Sequence, residues 1–318
     1  MTEAENLPKI STAQLFCVLM LSRLSAEIVY PRSGAGCGAE TMLTVIAAEL
    51  VRFVLGLPVI IYSCRKTRIY RAMCGKNRFF GLAGALGAGL LLAGAAVKTL
   101  RALAEFAGRN LVKGAPVWLL GCFAAALAIY AAYSGAEALA RSGALILAIA
   151  AVITLGVILA DIPRMELNVD MPAPRRELGV FFEDVFERIL RGGDYLVFVA
   201  LLPYVRVKKV SAPATVTLFA FFSALAAVLL SGFCCLVLRE LYGLVEFPLP
   251  AAASVADVGF FRRLDGGVSA VWALGAALRA GLMLFSIRAV YAQTRGSARN
   301  GARETGGARR ADETGGMQ

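Results

Sequence analysis

Runs of about twenty predominantly apolar residues recur along most of this chain, and no other feature restricts its fold as strongly. A helix of that length crosses the roughly 30 Å hydrocarbon core of a bilayer. Eight such spans are predicted, at roughly 11–31, 41–63, 80–106, 117–136, 143–160, 179–205, 211–238 and 267–292. Of the 318 residues, 58% are hydrophobic and only 17% charged, against about 25% charged in soluble domains. Mean hydropathy is +0.69. The sequence therefore reads as an all-α polytopic membrane protein, with residues 1–293 forming a transmembrane bundle. The first apolar run has the length of a full span, so it is read as a membrane helix and not as a cleavable leader.

The net charge of +11 would suggest nucleic acid in a soluble protein. Here the basic residues sit mainly in short loops and in the tail, where the positive-inside rule accounts for them. The expected surroundings are a lipid bilayer, without nucleic acid. The second loop, "RKTRIYRAMCGKNR", has six basic residues and no acidic one. The sixth loop carries Arg206, Lys208 and Lys209, and the tail carries Arg295, Arg299, Arg303, Arg309 and Arg310. With eight alternating spans all three fall on one side, which places both termini in the cytoplasm. The loop at 161–177 and the segment at about 239–266 lie opposite. From 294 to 318 Gly, Ser and Arg dominate, a composition that buries no core and predicts a disordered cytoplasmic tail.

The absence of His rules out imidazole ligation and histidine proton relays. The seven cysteines lack zinc or redox spacing, and Cys234-Cys235, inside an apolar run, read as small hydrophobes. No nucleophile–base pair, phosphate loop or metal cluster is visible in the sequence. The expectation is a protein without cofactor or metal and without enzymatic activity.

Several ionisable residues lie within the spans. At about 1.5 Å per residue, Arg23, Arg52, Asp194 and Arg279 fall near mid-membrane, and Glu27, Lys98, Arg101 and Glu105 lie toward the outer half. Arg101 and Glu105 are four apart on one helix face and can pair; the spacing fits a structural pair as well as a functional one. Glu49 and Arg52, three apart, read as a mutually satisfied pair. The segment "RGGD", Arg191, Gly192, Gly193 and Asp194, interrupts the sixth span. Two glycines loosen a helix, and they fit either a packing kink or a local break. A break exposes backbone donors and acceptors, and a carboxylate beside it makes a polar site. Membrane charges of this kind are functional candidates by default. Arg23, Arg279 and Asp194 together are net positive, which favours a ligand bearing a carboxylate, such as an amino acid.

Six segments, taken in order, resemble those of one family of membrane proteins. "ISTAQLFCVLMLSRLSAEIVYPRS" is similar to their first helix, and "TLRALAEFAGRNLVKGAPVWLL" to the end of their third. "YSGAEALARSGALIL" resembles their passage from fourth to fifth helix, "ADIPRMELNVDMP" the loop that follows, and "GGDYLVFVALLPYV" their sixth helix. The last segment resembles the family in Phe247-Pro248, Arg263-Leu264-Asp265, Trp272 and the mid-helix Arg279. The family these segments resemble is that of the spore germination permease-like proteins, the B subunits of germinant receptors, within the amino acid–polyamine–organocation transporter superfamily, and the resemblance covers about residues 9–292.

That resemblance implies an inverted-repeat helix bundle with discontinuous helices one and six. Family members usually have ten helices, so this chain reads as a version truncated to eight. A ligand site would be built mainly from helices one, three, six and eight. Here it would draw on Arg23, Ser25, Glu27, Arg101, Glu105, Arg191, Gly192, Gly193, Asp194, Trp272 and Arg279. The implied break in helix one falls at Ser22–Glu27. The implied function is a membrane subunit of a germinant receptor in the inner spore membrane. It would sense a small nutrient such as an amino acid, together with A- and C-type receptor subunits. An amino-acid permease, ion-coupled through Asp194 or Glu27, and a non-binding structural subunit remain open beside it.

Overall fold

The computed structural model describes residues 10–31, 39–63, 78–165, 178–206, 211–256 and 264–315. These fold into ten α-helices: α1 (Thr12–Val29), α2 (Ala39–Ser63), α3 (Arg78–Asn110), α4 (Val117–Tyr133), α5 (Gly135–Asp161), α6 (Leu178–Leu190), α7 (Asp194–Leu201), α8 (Ser211–Leu238), α9 (Pro248–Val255) and α10 (Asp265–Gly315). Helices α1, α2, α3, α5, α8 and α10 are long and apolar enough to cross a membrane, and α4 is a shorter apolar helix. The remaining predicted span is divided between α6 and α7. The architecture is that of an all-α polytopic membrane protein, and an isolated bridge between Ile10 and Val205 is the β pairing seen among the described residues.

Local chemistry sets the helix ends. Ser11 caps α1 in a capping box: its hydroxyl accepts from the Gln14 N–H at 3.1 Å, and the Gln14 side chain accepts from the Ser11 N–H at 2.9 Å, satisfying two otherwise orphan donors. Between α4 and α5 the chain reverses at Gly135, whose φ of 90° suits a residue without a β-carbon. Just before α1, Ile10 exchanges backbone hydrogen bonds with Tyr204 and Arg206, both at 2.9 Å. The entry to the first span is thereby tied to the exit of the sixth.

Helix α1 is the inner post of the bundle, buried along most of its length and packed against α5, α8 and α10. Helix α10 lies on α3, α4, α5 and α1. Small residues let these helices approach closely, as in membrane interfaces generally. A β-carbon on Gly143 would come within 2.7 Å of Val18, one on Gly275 within 2.6 Å of the Ser25 hydroxyl, and one on Gly281 within 2.9 Å of the Ala128 carbonyl oxygen.

The described residues differ from expectation in four places. Helix α1 is continuous through Ser22–Glu27: the segment contains neither Gly nor Pro, and Ser25 donates to the Leu21 carbonyl at 2.7 Å without interrupting the helix. Helix α5 begins eight residues before the predicted 143, because an alanine-rich first turn and the Glu137–Arg141 pair support helix ahead of the apolar run. Helix α10 continues to Gly315 where disorder was expected. No proline occurs after Pro250, so the helix has no obligatory stop, and the Ala and Arg residues of the tail are good helix formers. Finally, Cys235, read as a small hydrophobe, is disulfide-bonded. Most of the basic loop at 65–78, residues 166–177, Lys208, Lys209 and Arg263 lie outside the described residues.

Candidate functional site

The sixth span breaks where the sequence places Gly192 and Gly193. Helix α6 ends at Leu190 and α7 starts at Asp194. A β-carbon on Gly192 would lie 2.9 Å from the Ile189 carbonyl oxygen, closer than real side chains come, so the turn depends on glycine there. Gly193 is less constrained, with the end of the Met283 side chain 3.4 Å from the corresponding position.

The break is pinned by Arg279 of α10, a fully buried guanidinium. One of its terminal nitrogens donates to Asp194 at 3.0 Å, to the Ser22 hydroxyl at 3.0 Å and to the Ser22 carbonyl at 2.5 Å. The other donates to the Arg191 carbonyl at 2.6 Å. The Ser22 hydroxyl donates in turn to Asp194 at 2.6 Å. One arginine thus ties α1, the loosened end of α6 and the first residue of α7 to α10. It also supplies the freed Arg191 carbonyl with the partner that a continuous helix would have given it.

Beside this knot lies a second ionic cluster. Arg23 of α1 donates to Glu27 at 2.5 Å and also to Glu49 of α2. Arg52 of α2 donates to Glu49 at 2.5 Å, and Arg188 of α6 donates to Glu27 at 3.1 Å. Arg191 is held by Glu187 at 2.8 Å and by the Pro31 carbonyl at 3.3 Å, with its guanidinium over the Tyr30 ring. Among the described residues, four guanidiniums, those of Arg23, Arg52, Arg188 and Arg279, meet three carboxylates, those of Glu27, Glu49 and Asp194, which leaves one positive charge in excess there. The excess coincides with unmet bonding capacity: two buried guanidinium nitrogens of Arg23 and two of Arg52 have no hydrogen-bond partner among the described residues.

Both arginines line a cavity of about 340 Å³ that opens at the break. Its polar wall consists of Arg23, Glu49, Arg52, the Gly192–Asp194 backbone and Ser223. Leu55, Leu91, Ile189, Leu196 and Phe219 make the rest apolar. Chemically, the wall combines guanidinium donors with an apolar body. A carboxylate placed between Arg23 and Arg52 would meet donors that already lack acceptors, and charge-assisted bonds to guanidinium are among the stronger ones.

The structure divides the predicted site residues. It brings together Arg23, Glu27, Arg191, Gly192, Gly193, Asp194 and Arg279. Ser25 is buried but faces Gly275 of α10. Trp272 donates to the Thr154 hydroxyl of α5 at 3.3 Å, a packing contact between α10 and α5. Arg101 and Glu105 pair with each other at 2.9 Å on the outward face of α3, where the Arg101 side chain is 80% exposed; they are no part of this cluster. Four participants were not among the predicted site residues, namely Ser22, Glu49, Arg52 and Arg188, although Arg52 is one of the charges that the sequence places near mid-membrane. Glu49 and Arg52 do pair as expected, but Arg23 joins them. Depth along each span was the signal that could have found them, since all lie at levels comparable to the break.

Residues 9–295 match the family model described as "Spore germination protein". No curated protein matches the chain.

Proposed function

The chain belongs to the spore germination protein family, an integral membrane, transporter- or receptor-like group, and from that premise we propose that it senses a small carboxylate-bearing nutrient at the break in its sixth span. The ligand class is an amino acid with a compact apolar side chain. One observation carries this reading: buried guanidinium nitrogens of Arg23 and Arg52 without hydrogen-bond partners among the described residues, in the wall of a cavity at the helix break. The cavity's volume lies at the low end of the usual range for ligand pockets, about 300–1,000 Å³, which suits a small ligand. Net charge and unmet donors favour the carboxylate, Glu49 offers an acceptor to an ammonium group, and the apolar wall accommodates the side chain.

Sensing follows from the break itself. The cavity is walled by α1, α2, α3, α6, α7 and α8, elements on both sides of the interruption. A ligand bridging them stabilises one arrangement of α6 relative to α7 and α1. By its differential affinity it biases the whole bundle and any subunit in contact with it. The setting we propose is the inner spore membrane, with both termini cytoplasmic and with further receptor subunits as partners.

The test uses purified full-length protein in detergent, melted in the presence of L-amino acids and of the corresponding amides. Amino acids with small apolar side chains should raise Tm and their amides should not, because the amide lacks the charge that Arg23 and Arg52 recognise. Equal shifts with acid and amide, or none with either, would refute the carboxylate reading. Uptake of labelled amino acid into proteoliposomes separates the roles: a sensor binds without accumulation, whereas accumulation against a gradient identifies a permease.

A further inference from the structure

Helix α3 carries charges that the cavity does not use. Lys98 and Arg101 are exposed on its outward face. Their depth can be read from the structure. A β-carbon on Gly193 would lie 3.7 Å from that of Ala95, so Ala95 shares the level of the break. That level is near mid-span, since Asp194 bonds to Ser22, close to the middle of α1. Lys98 is three residues farther along α3, about 4.5 Å outward, well inside a hydrocarbon half-thickness of about 15 Å. Arg101 has Glu105 as its counter-charge at 2.9 Å. Lys98 has no ion-pair partner among the described residues. An unpaired ammonium on an outward helix face at this depth is costly.

The same face is shaped for a close neighbour. Gly87 and Gly94 are exposed with open space over the position of a β-carbon, and with Lys98 and Arg101 they recur at helical spacing along one stripe. Small residues at such spacing let a second backbone approach. The glycine on the opposite side of the helix, Gly89, is already covered by Tyr291 of α10.

We propose that this stripe of α3 is the docking surface for a transmembrane helix of a different membrane protein, one whose carboxylate pairs with Lys98 just outward of mid-membrane. A second copy of this chain docking by the same face would bring like charges together, which does not fit. Lipid headgroups lie beyond the level of Lys98, so they complement it poorly. Charge complementarity selects a partner helix carrying Asp or Glu. Leu91, on the same helix, is 64% exposed and lines the cavity, so a helix seated on the stripe borders the cavity mouth. Only this link to ligand sensing rests on the function proposed above; the docking surface stands without it.

The experiment places a photocrosslinking residue at Gly94 of the full chain, in cells that make its native partners, with Leu155 of α5 as a lipid-facing control. The expected adduct at Gly94 maps to a transmembrane segment of another protein that contains Asp or Glu. Lys98→Glu should lower its yield at least tenfold, Lys98→Arg should retain it, and changing the partner's carboxylate to Lys should restore it in Lys98→Glu. Gly94→Leu, with the crosslinker moved to Gly87, should reduce it by sterics alone. Adducts only with phospholipid, only with a second copy of this chain, or equal in kind at position 155 would overturn the proposal, as would an adduct insensitive to the charge at 98. This readout needs no ligand, so it fails or succeeds independently of the amino-acid melting assay.

Discussion

Arg279 heads the fully buried side chains by size, and its energetics decide how Asp194 is understood. Breaking a buried ion pair by removing one partner costs about 3–5 kcal/mol, because the other charge stays behind uncompensated. Asp194 is the carboxylate bonded to Arg279, so the pair is first a fastening of the break and only secondarily part of the cavity wall. Asp194→Asn should therefore lower the Tm of the detergent-purified protein markedly. Asp194→Asn combined with Arg279→Gln should recover much of that loss, since no isolated charge remains. If the double variant melts no higher than the single one, the pair is not the fastening. Arg52 behaves differently, because Glu49 keeps Arg23 as a partner when Arg52 changes. Arg52→Gln should leave Tm within a few degrees of the parent but weaken the amino-acid shift at least tenfold in half-saturating concentration, while Arg52→Lys retains part of it.

At the scale of elements, the two glycines of the break are not equivalent, and the difference is testable. Gly192→Ala must push against the Ile189 carbonyl, a backbone atom, whereas Gly193→Ala meets the flexible end of Met283 and, at ordinary contact distance, the Ala95 β-carbon. Gly192→Ala should destabilise the protein or abolish the ligand shift, and Gly193→Ala should preserve both. Gly193→Leu should keep the fold yet lose the shift by occupying the cavity. Equal tolerance at both positions would mean that the backbone at the break relaxes freely. The location of this break was legible in the sequence because Gly-Gly followed by Asp is a local signal. The break expected at Ser22–Glu27 is absent from α1, because that segment holds no local helix breaker. The level of each charge along its own helix was also legible, since it follows from counting residues along a span. The pairings were not. Whether Arg23 meets Glu27 alone or also Glu49, and whether Arg101 faces the cavity or the outside, depends on the rotation of each helix about its axis. That rotation is set by packing between segments far apart in sequence.

For the whole molecule, length and charge together dictate how the bundle sits in its membrane. Helix α10 has 51 residues, about 77 Å at 1.5 Å per residue, more than twice the hydrocarbon thickness of about 30 Å. Its apolar part, Asp265–Thr294, is sufficient to cross. By the positive-inside rule, the remainder, with Arg295, Arg299, Arg303, Arg309 and Arg310, is predicted on the same side as the basic 65–78 loop. Single cysteines placed at Ser297 and in the 65–78 loop should react with impermeant reagents from the same face, and one in the 166–177 loop from the opposite face. Labelling of Ser297 and the 65–78 loop from opposite faces would break the eight-crossing topology. The same geometry predicts that residues 295–318 contribute little to the bundle. Gly296, Gly301, Gly306 and Gly307 each cost about 1 kcal/mol relative to Ala in a helix, and helix outside the membrane is held by no membrane neighbours. Deleting 295–318 should leave membrane insertion, Tm and the amino-acid shift unchanged. A fall in Tm of more than a few degrees would instead show that this extension packs on the inner face of the bundle and helps to hold α10 in register.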